Sequence, residues 1–457
     1  MQDPQPALDF ARQQRGAALE DLKEFLRIPS ISTLPEHKPD LVRASNWVAD
    51  QLRELGLKSV EVLPTAGHPV VYGEWLEAGD SAPTVLVYGH YDVQPVDPLS
   101  LWKSPPFEPA IRGEDLFARG ASDMKGQIVA QLKAAEALVK TSGLPLNLKF
   151  MIEGEEEIGS PNLGAFIEQQ RNKLACDFCL NLDAGVLGPD IPSLTLALRG
   201  LAYFEVRIQG PAGDLHSGTF GGAVENPANV LARLIAGMHD AAGRVTLPGF
   251  YDQVRPLTER DRADLGQLPQ AEAWWMEQSA TKALGGEAGF TATERATSRP
   301  TLDVNGMLSG FTGAGSKTVL PAKAMAKIST RLVPDQRPEQ VHESLIEYMR
   351  RSAPPTVDWE VDMLAGAVPG IIDRNAPEVQ TAAKALEAAW GKPAVYKREG
   401  GTVPVVGMIQ ELLGVNSLLL GFGLPDDNLH APNEKFHLPN FYRGIDTLIR
   451  FLAALPA

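Results

Sequence analysis

Seven acidic or imidazole side chains stand where apolar runs break: His90, Asp92, Asp123, Glu156, Glu157, Asp183 and His430. In TVLVYGHYDVQP the apolar run from Val85 to Tyr88 reads as a buried strand bounded by Pro83 and Pro95. It delivers His90 and Asp92 at its end, two residues apart and so on the same side of the strand. A metal-ligating His beside an orienting carboxylate has this form, and so does a core His closing a loop. Asp123 lies in a loop ahead of a helical pattern that begins at Gly126. LNLKFMIE is a strand running into Glu153, Glu155, Glu156 and Glu157, and FCLNLD is a strand ending at Asp183. In open α/β sheets the carboxyl ends of strands are where ligands bind. Such a set, without matching Lys or Arg, repels itself unless divalent metal replaces repulsion by coordination. Mixed His and carboxylate donors suit Zn, Mn or Co better than Ca or Mg. Five direct ligands exceed what one open catalytic zinc takes and fit two metals sharing a carboxylate.

These residues need a scaffold, and 457 residues predict two domains. A hydrophobic content of 44% with 22% charged residues is ordinary for a globular protein. The 57 Asp and Glu against 42 Lys and Arg give a charge of −15, which excludes nucleic acid as an expected partner. MQDPQPALDFARQQR lacks a secretory pattern, and no apolar run reaches the ~20 residues of a membrane span. A cytoplasmic protein with no membrane partner is the expectation. Cys176 and Cys179 sit at the entry to a buried strand and read as buried thiols rather than a redox pair.

Helical spacing predicts one helix from Pro6 to Leu26 and another from about Leu41 to Leu55, stopped by Gly56. KSVEVLP and PVVYGEW read as further strands. From about Leu194 the character changes: SLTLALRGLAYFEVRIQG, a Gly-rich loop, ANVLARLIAGMHD, AMAKISTRLVP, PEQVHESLIEYMRRSA and TVDWEVDML follow in a βαββαβ-like order. The expected organisation is a first domain from 1–197 and 366–457, and a smaller one over 198–365. Residues 245–300 read as an insertion, helical around AEAWWMEQ, with no chemistry of its own. The fold class is α/β, a central mixed sheet flanked by helices, with a ferredoxin-like α+β second domain.

Five separated motifs, VYGHYDVQP, GASDMKGQ, EGEEEIGS, DLHSGTFGG and NLHAPNEK, together with REGGTVPV, resemble the M20 metallopeptidases, and within them the carnosinase-like and cytosolic non-specific dipeptidase group. The resemblance covers nearly the whole chain. It implies two divalent metal ions per subunit, Zn first, with Mn or Co as alternatives. His90 and Asp183 would bind one, Glu157 and His430 the other, and Asp123 would bridge them. Asp92 would orient the His90 ring, and Glu156 would be the general base for a hydroxide held between the metals. The larger domain would then be catalytic and the smaller one a lid through which a homodimer forms. His216 in DLHSG would stabilise the oxyanion, and Arg331 would grip the carboxylate of a dipeptide substrate. Asn305, Glu399, Gly400 and Gly401 are further candidates for substrate contact. As local readings, His216 is a turn residue and Arg331 a solvated charge. Glu153 and Glu155 read as solvated or supporting groups; Glu155 stands where the resembled motif commonly has an apolar residue, and so adds negative charge near the metals. The activity implied is hydrolysis of dipeptides or short peptides, with deacylation of N-acyl amino acids as the alternative on the same site and a catalytically silent binding protein as the third reading.

Overall fold

The computed structural model describes residues 2–455, which group into two compact units. The first comprises the chain up to Leu196, Ile371–Lys397 and the chain from Val405 on; the second is Ala197–Gly370 with Arg398–Pro404.

The first unit is built on a nine-stranded mixed sheet. Its order runs Ser59–Leu63, Val70–Trp75, Asn147–Glu153, Thr84–His90, Phe178–Asn181, Asn416–Leu419, Ser193–Leu198 and Gly370–Ile371, with Val395–Glu399 paired to Ser193–Leu198. The four central strands, from Asn147–Glu153 to Asn416–Leu419, are mutually parallel. They are covered on both faces: Asn147–Glu153 and Phe178–Asn181 are buried at every position, Lys149 included. The helix Lys125–Lys140 supplies much of the cover, with Ile128, Val129, Leu132 and Leu138 buried, and packs on the C-terminal helix Leu438–Ala454. One sequence expectation changes here. The N-terminal helix is two, Gln5–Gln13 and Arg15–Leu26, with Gln14 non-helical between them. The apolar spacing continues across that break, which is why periodicity alone reads one helix. Asn147–Glu153 also inserts between Val70–Trp75 and Thr84–His90, strands adjacent in sequence but not in the sheet.

The second unit carries a four-stranded antiparallel sheet in the order Thr301–Ser309, Lys323–Leu332, Gly200–Gln209, Asp358–Ala367. With helices Pro227–Gly237 and Pro338–Ser352 this is the ferredoxin-like arrangement. Burial alternates strictly along Gly200–Gln209 and Lys323–Leu332, because helices cover one face only. Ala202, Phe204, Val206, Ile208, Ala326 and Ile328 form this unit's own core with Val230, Leu234, Leu345 and Met349. Arg398–Pro404 groups with this unit rather than with the C-terminal part of the first, where the sequence reading put it. Four hydrogen bonds hold it there: Arg199 N to Glu399 O, Arg199 Nε to Gly400 O, Thr402 Oγ1 to Arg199 O and Arg331 Nη1 to Thr402 Oγ1.

Candidate metal centre

All seven polar residues singled out from the sequence lie in the first unit: His90, Asp92, Glu156, Glu157 and Asp183 at or just beyond the carboxyl ends of its parallel strands, Asp123 in the loop before the helix Lys125–Lys140 and His430 in the loop before the strand Lys435–His437. His90 closes its strand fully buried, with Nδ1 3.1 Å from Asp92 O and 3.4 Å from Asp92 Oδ1, and Nε2 3.1 Å from Asp123 Oδ1. Asp92 is also buried, and its two oxygens accept the backbone N–H groups of Glu156 at 3.3 Å and Glu157 at 3.1 Å. One carboxylate thus ties the His90 loop to the start of the short helical turn Glu156–Ile158.

Asp123 faces two imidazoles: Oδ1 lies 3.1 Å from His90 Nε2, and Oδ2 lies 3.0 Å from His430 Nε2. His430 Nε2 is also 3.1 Å from Glu157 Oε2, which accepts from Gln94 Nε2 at 2.8 Å. His430 is exposed and sits at φ +60° between Asn428 at +55° and Asn433 at +63°. Asn tolerates this left-handed backbone, and the Asn433 side chain pins the loop by accepting from Lys103 N and donating to Leu101 O, each at 2.8 Å. Asp183 follows its strand by two residues, with its N–H on Asn181 Oδ1 at 2.7 Å.

The donor atoms converge as two overlapping sets, His90, Asp123 and Glu157, and His90, Glu156 and Asp183, each within 4.8 Å. The two adjacent glutamates differ in what holds them. Glu157 is fixed by Gln94 and His430, whereas among the described residues no side chain donates a hydrogen bond to the Glu156 carboxyl.

The electrostatics fit a cationic guest. Burial pushes Glu156 up to about 9 against the pull of His90, with Asp183, Asp123 and Glu157 adding to the rise. Burial and Asp123 raise Asp183 to about 7. Hydrogen bonds to Asp123 and Glu157 lift His430 to about 10. Burial disfavours the His90 imidazolium, yet Asp123 and Asp92 hold its pKa well above the ordinary value. Alone, the cluster balances itself by holding protons, and divalent metal displaces protons from such donors.

Sequence reasoning overlooked Glu434, although it lies in NLHAPNEK. It is fully buried and accepts the N–H groups of Gly120, Ser122 and Asp123 at 2.9, 3.1 and 3.1 Å, and Arg119 Nη1 at 2.8 Å. It therefore sets the loop that presents Asp123, and only its motif, not its spacing, could have flagged it. Glu153 and Glu155 are buried rather than solvated. Glu153 accepts from Tyr88 and Ser160 at 2.8 and 2.9 Å. Glu155 accepts from His68 N at 3.0 Å and Asn162 Nδ2 at 2.9 Å, so its charge is spent tying a neighbouring loop.

The remaining candidates lie in the second unit. His216 is exposed at the end of a two-residue strand, and its Nδ1 accepts Gly218 N–H at 3.1 Å. That bond puts the ring proton on Nε2, the nitrogen left to donate. Asn305 is the unpaired residue of a β-bulge, since Val304 pairs with Ile328 and Gly306 with Lys327. Bulges of this kind re-aim a side chain. Arg331 donates to Thr402 Oγ1 at 2.8 Å, and Asn305, Arg331 and Arg199 line one cavity. Glu399 ends the strand Val395–Glu399. Gly400 is required by packing, because a Cβ there would lie 2.4 Å from Ala296 O, while Gly401 stands open.

The Cys-Gly metallodipeptidase DUG1 of Candida albicans is 32% identical over 98% of this chain and 96% of its own. Among solved structures, the M20 family metallo-carboxypeptidase Sso-CP2 from Sulfolobus solfataricus superposes with a TM-score of 0.84 at 34% identity, over 96% of this chain and 99% of that one. The dipeptidase Dug1p from Saccharomyces cerevisiae does so at 0.77 and 26% identity, over 99% and 98%. The model of peptidase family M20/M25/M40 matches residues 86–454, from the strand that ends at His90 to the last helix, and the chain belongs to that family.

Proposed function

We propose that this protein is a metal-dependent dipeptidase whose chemistry is carried by the cluster around Asp123. One observation carries the reading: Asp123 offers one oxygen to His90 and the other to His430, while among the described residues no side chain donates to the Glu156 carboxyl beside them. His90 and Asp183 would hold one divalent ion and Glu157 and His430 a second, with Asp123 shared. When bound, such a pair lowers the pKa of water and polarises the scissile carbonyl. Zn is the ion proposed, with Mn and Co as competitors.

Asp92 holds the His90 ring by facing Nδ1, so Nε2 is the ligating nitrogen. Glu156 takes the proton of the attacking water and passes it to the leaving amine. That is a task for a carboxyl to which, among the described residues, no side chain donates a hydrogen bond. His216 Nε2–H is the proposed donor to the developing oxyanion, and Arg331 the proposed partner of the substrate's terminal carboxylate, with Asn305 and the Glu399, Gly400 and Gly401 backbone beside it. The first unit is thereby the catalytic domain and the second the lid.

A homodimer formed through the second unit belongs to the same reading. Thr301–Ser309 is an edge strand of its sheet and exposes Val304, Met307 and Leu308. Two free thiols, at Cys176 and Cys179, suit the cytoplasm, and no helix among the described residues is long and apolar enough to cross a membrane.

The test is hydrolysis of dipeptides, tripeptides and matched N-acetyl amino acids by metal-stripped protein with Zn, Mn or Co restored. Metal-dependent cleavage confined to free-amine dipeptides is expected. Cleavage confined to the acyl series would replace the reading by a deacylase, and silence throughout would overturn catalysis.

A further inference from the structure

The second unit contains a cavity of about 810 Å³ lined by four arginines: Arg199, Arg295, Arg299 and Arg331. Among the described residues only one of them is neutralised at close range. Arg299 is buried in a bidentate pair with Glu287, with both bonds at 2.8 Å. Arg295 has Glu272 no nearer than 3.9 Å. Among the described residues no carboxylate pairs with Arg199 or Arg331, and Asp303 is the only other acid lining the cavity. Burial and the neighbouring Arg331 lower Arg199 to about 10, the mark of two guanidiniums that repel each other. This accumulation of positive charge occurs in a chain whose net charge is −15.

The arginines are also held in place. Arg199 Nε donates to Gly400 O at 3.1 Å and its Nη1 to Arg299 O at 3.3 Å, and among the described residues Nη2 has no hydrogen-bond acceptor. Arg331 is anchored on Thr402, which is itself anchored on Arg199 O at 2.7 Å. Trp275 forms part of the wall, its indole N–H fixed on Thr293 Oγ1 at 2.9 Å. Trp275, Arg295 and Arg299 all come from the 245–300 segment, which showed no chemistry in sequence.

We infer that this cavity is a subsite for a second anionic group of the substrate, held by Arg199 and Arg295 beside the terminal carboxylate on Arg331, so that the preferred dipeptides end in an acidic residue. The inference rests on the dipeptidase reading and deepens it by naming the substrate class. A planar guanidinium set suits carboxylates, and an anion there relieves the repulsion between Arg199 and Arg331.

The experiment compares kcat/KM for Ala-Glu and Ala-Asp with their isosteres Ala-Gln and Ala-Asn on metal-reconstituted enzyme at constant ionic strength. A preference of about 10-fold or more for the acid over its amide is expected, and Arg295→Gln should bring that ratio towards one. Equal rates on acid and amide would overturn the subsite while leaving the dipeptidase reading intact. If no dipeptide is cleaved, the dipeptidase reading fails, and the subsite is judged by calorimetry with glutarate against butyrate. Glutarate binding more tightly, with the advantage lost in Arg295→Gln, supports it; equal binding, or an advantage that survives in Arg295→Gln, overturns it.

Discussion

At the scale of single residues, the two adjacent glutamates show how environment divides roles. Glu157 is committed to Gln94 and His430, whereas among the described residues no side chain donates to the Glu156 carboxyl. Replacing Glu156 by Gln keeps shape and removes the proton acceptor. The variant should retain metal by elemental analysis while kcat falls by several orders of magnitude; near-normal turnover would remove Glu156 from the mechanism. Glu153 gives a pH signature. Burial and Asp92 raise it to about 7, above its ordinary 4.5. A raised carboxyl contributes stability that is complete below about 4.5 and lost as pH climbs through 7. Relative to Glu153→Gln, the chelator-treated wild type should lose about 3 kcal/mol between those limits. Chemical denaturation at a series of pH values measures the difference, and parallel profiles would refute it.

At the scale of elements, the loop between Gly120 and the helix Lys125–Lys140 is held by contacts that reach across the chain. Glu434 binds three of its N–H groups and pairs with buried Arg119. Glu434→Ala leaves that guanidinium uncompensated, a cost of about 3–5 kcal/mol. A lowered Tm and weaker metal binding by titration are expected together. Gly126 tests the same loop from the helix side, because a Cβ there would sit 2.2 Å from Ala121 O and 2.5 Å from Phe436. Gly126→Ala should cost about 1–3 kcal/mol through overpacking and lower metal affinity by displacing Asp123. A variant as stable and as tightly metallated as wild type would show that the loop can yield.

At the scale of the whole molecule, the described residues form two apolar cores, one in each unit, and all the proposed metal ligands lie in the first unit. Ligand binding stabilises the unit that contains its site. Hydrogen exchange should therefore show metal slowing the amides of Thr84–His90 and Asn147–Glu153, with Gly200–Gln209 and Lys323–Leu332 little changed. Equal protection of both sets would show that the units respond as one. The proposed preference for acidic dipeptides also belongs to this scale, since it draws Arg199, Arg331 and the 245–300 segment into one cavity.

Much of this was legible from sequence because it depends on local periodicity. The apolar run ending at His90, the alternation in Gly200–Gln209 and the strand ends carrying Glu156, Glu157 and Asp183 all follow from which faces are buried. Tertiary structure alone decided the rest. It placed Asn147–Glu153 between two strands adjacent in sequence, moved Arg398–Pro404 to the second unit, made Glu434 the anchor of Asp123 and turned Glu155 towards His68 and Asn162. Each of these joins residues far apart in the chain through a few hydrogen bonds or a shared packing surface. No short-range pattern records such a partnership, because each side chain's immediate neighbours would be the same without it.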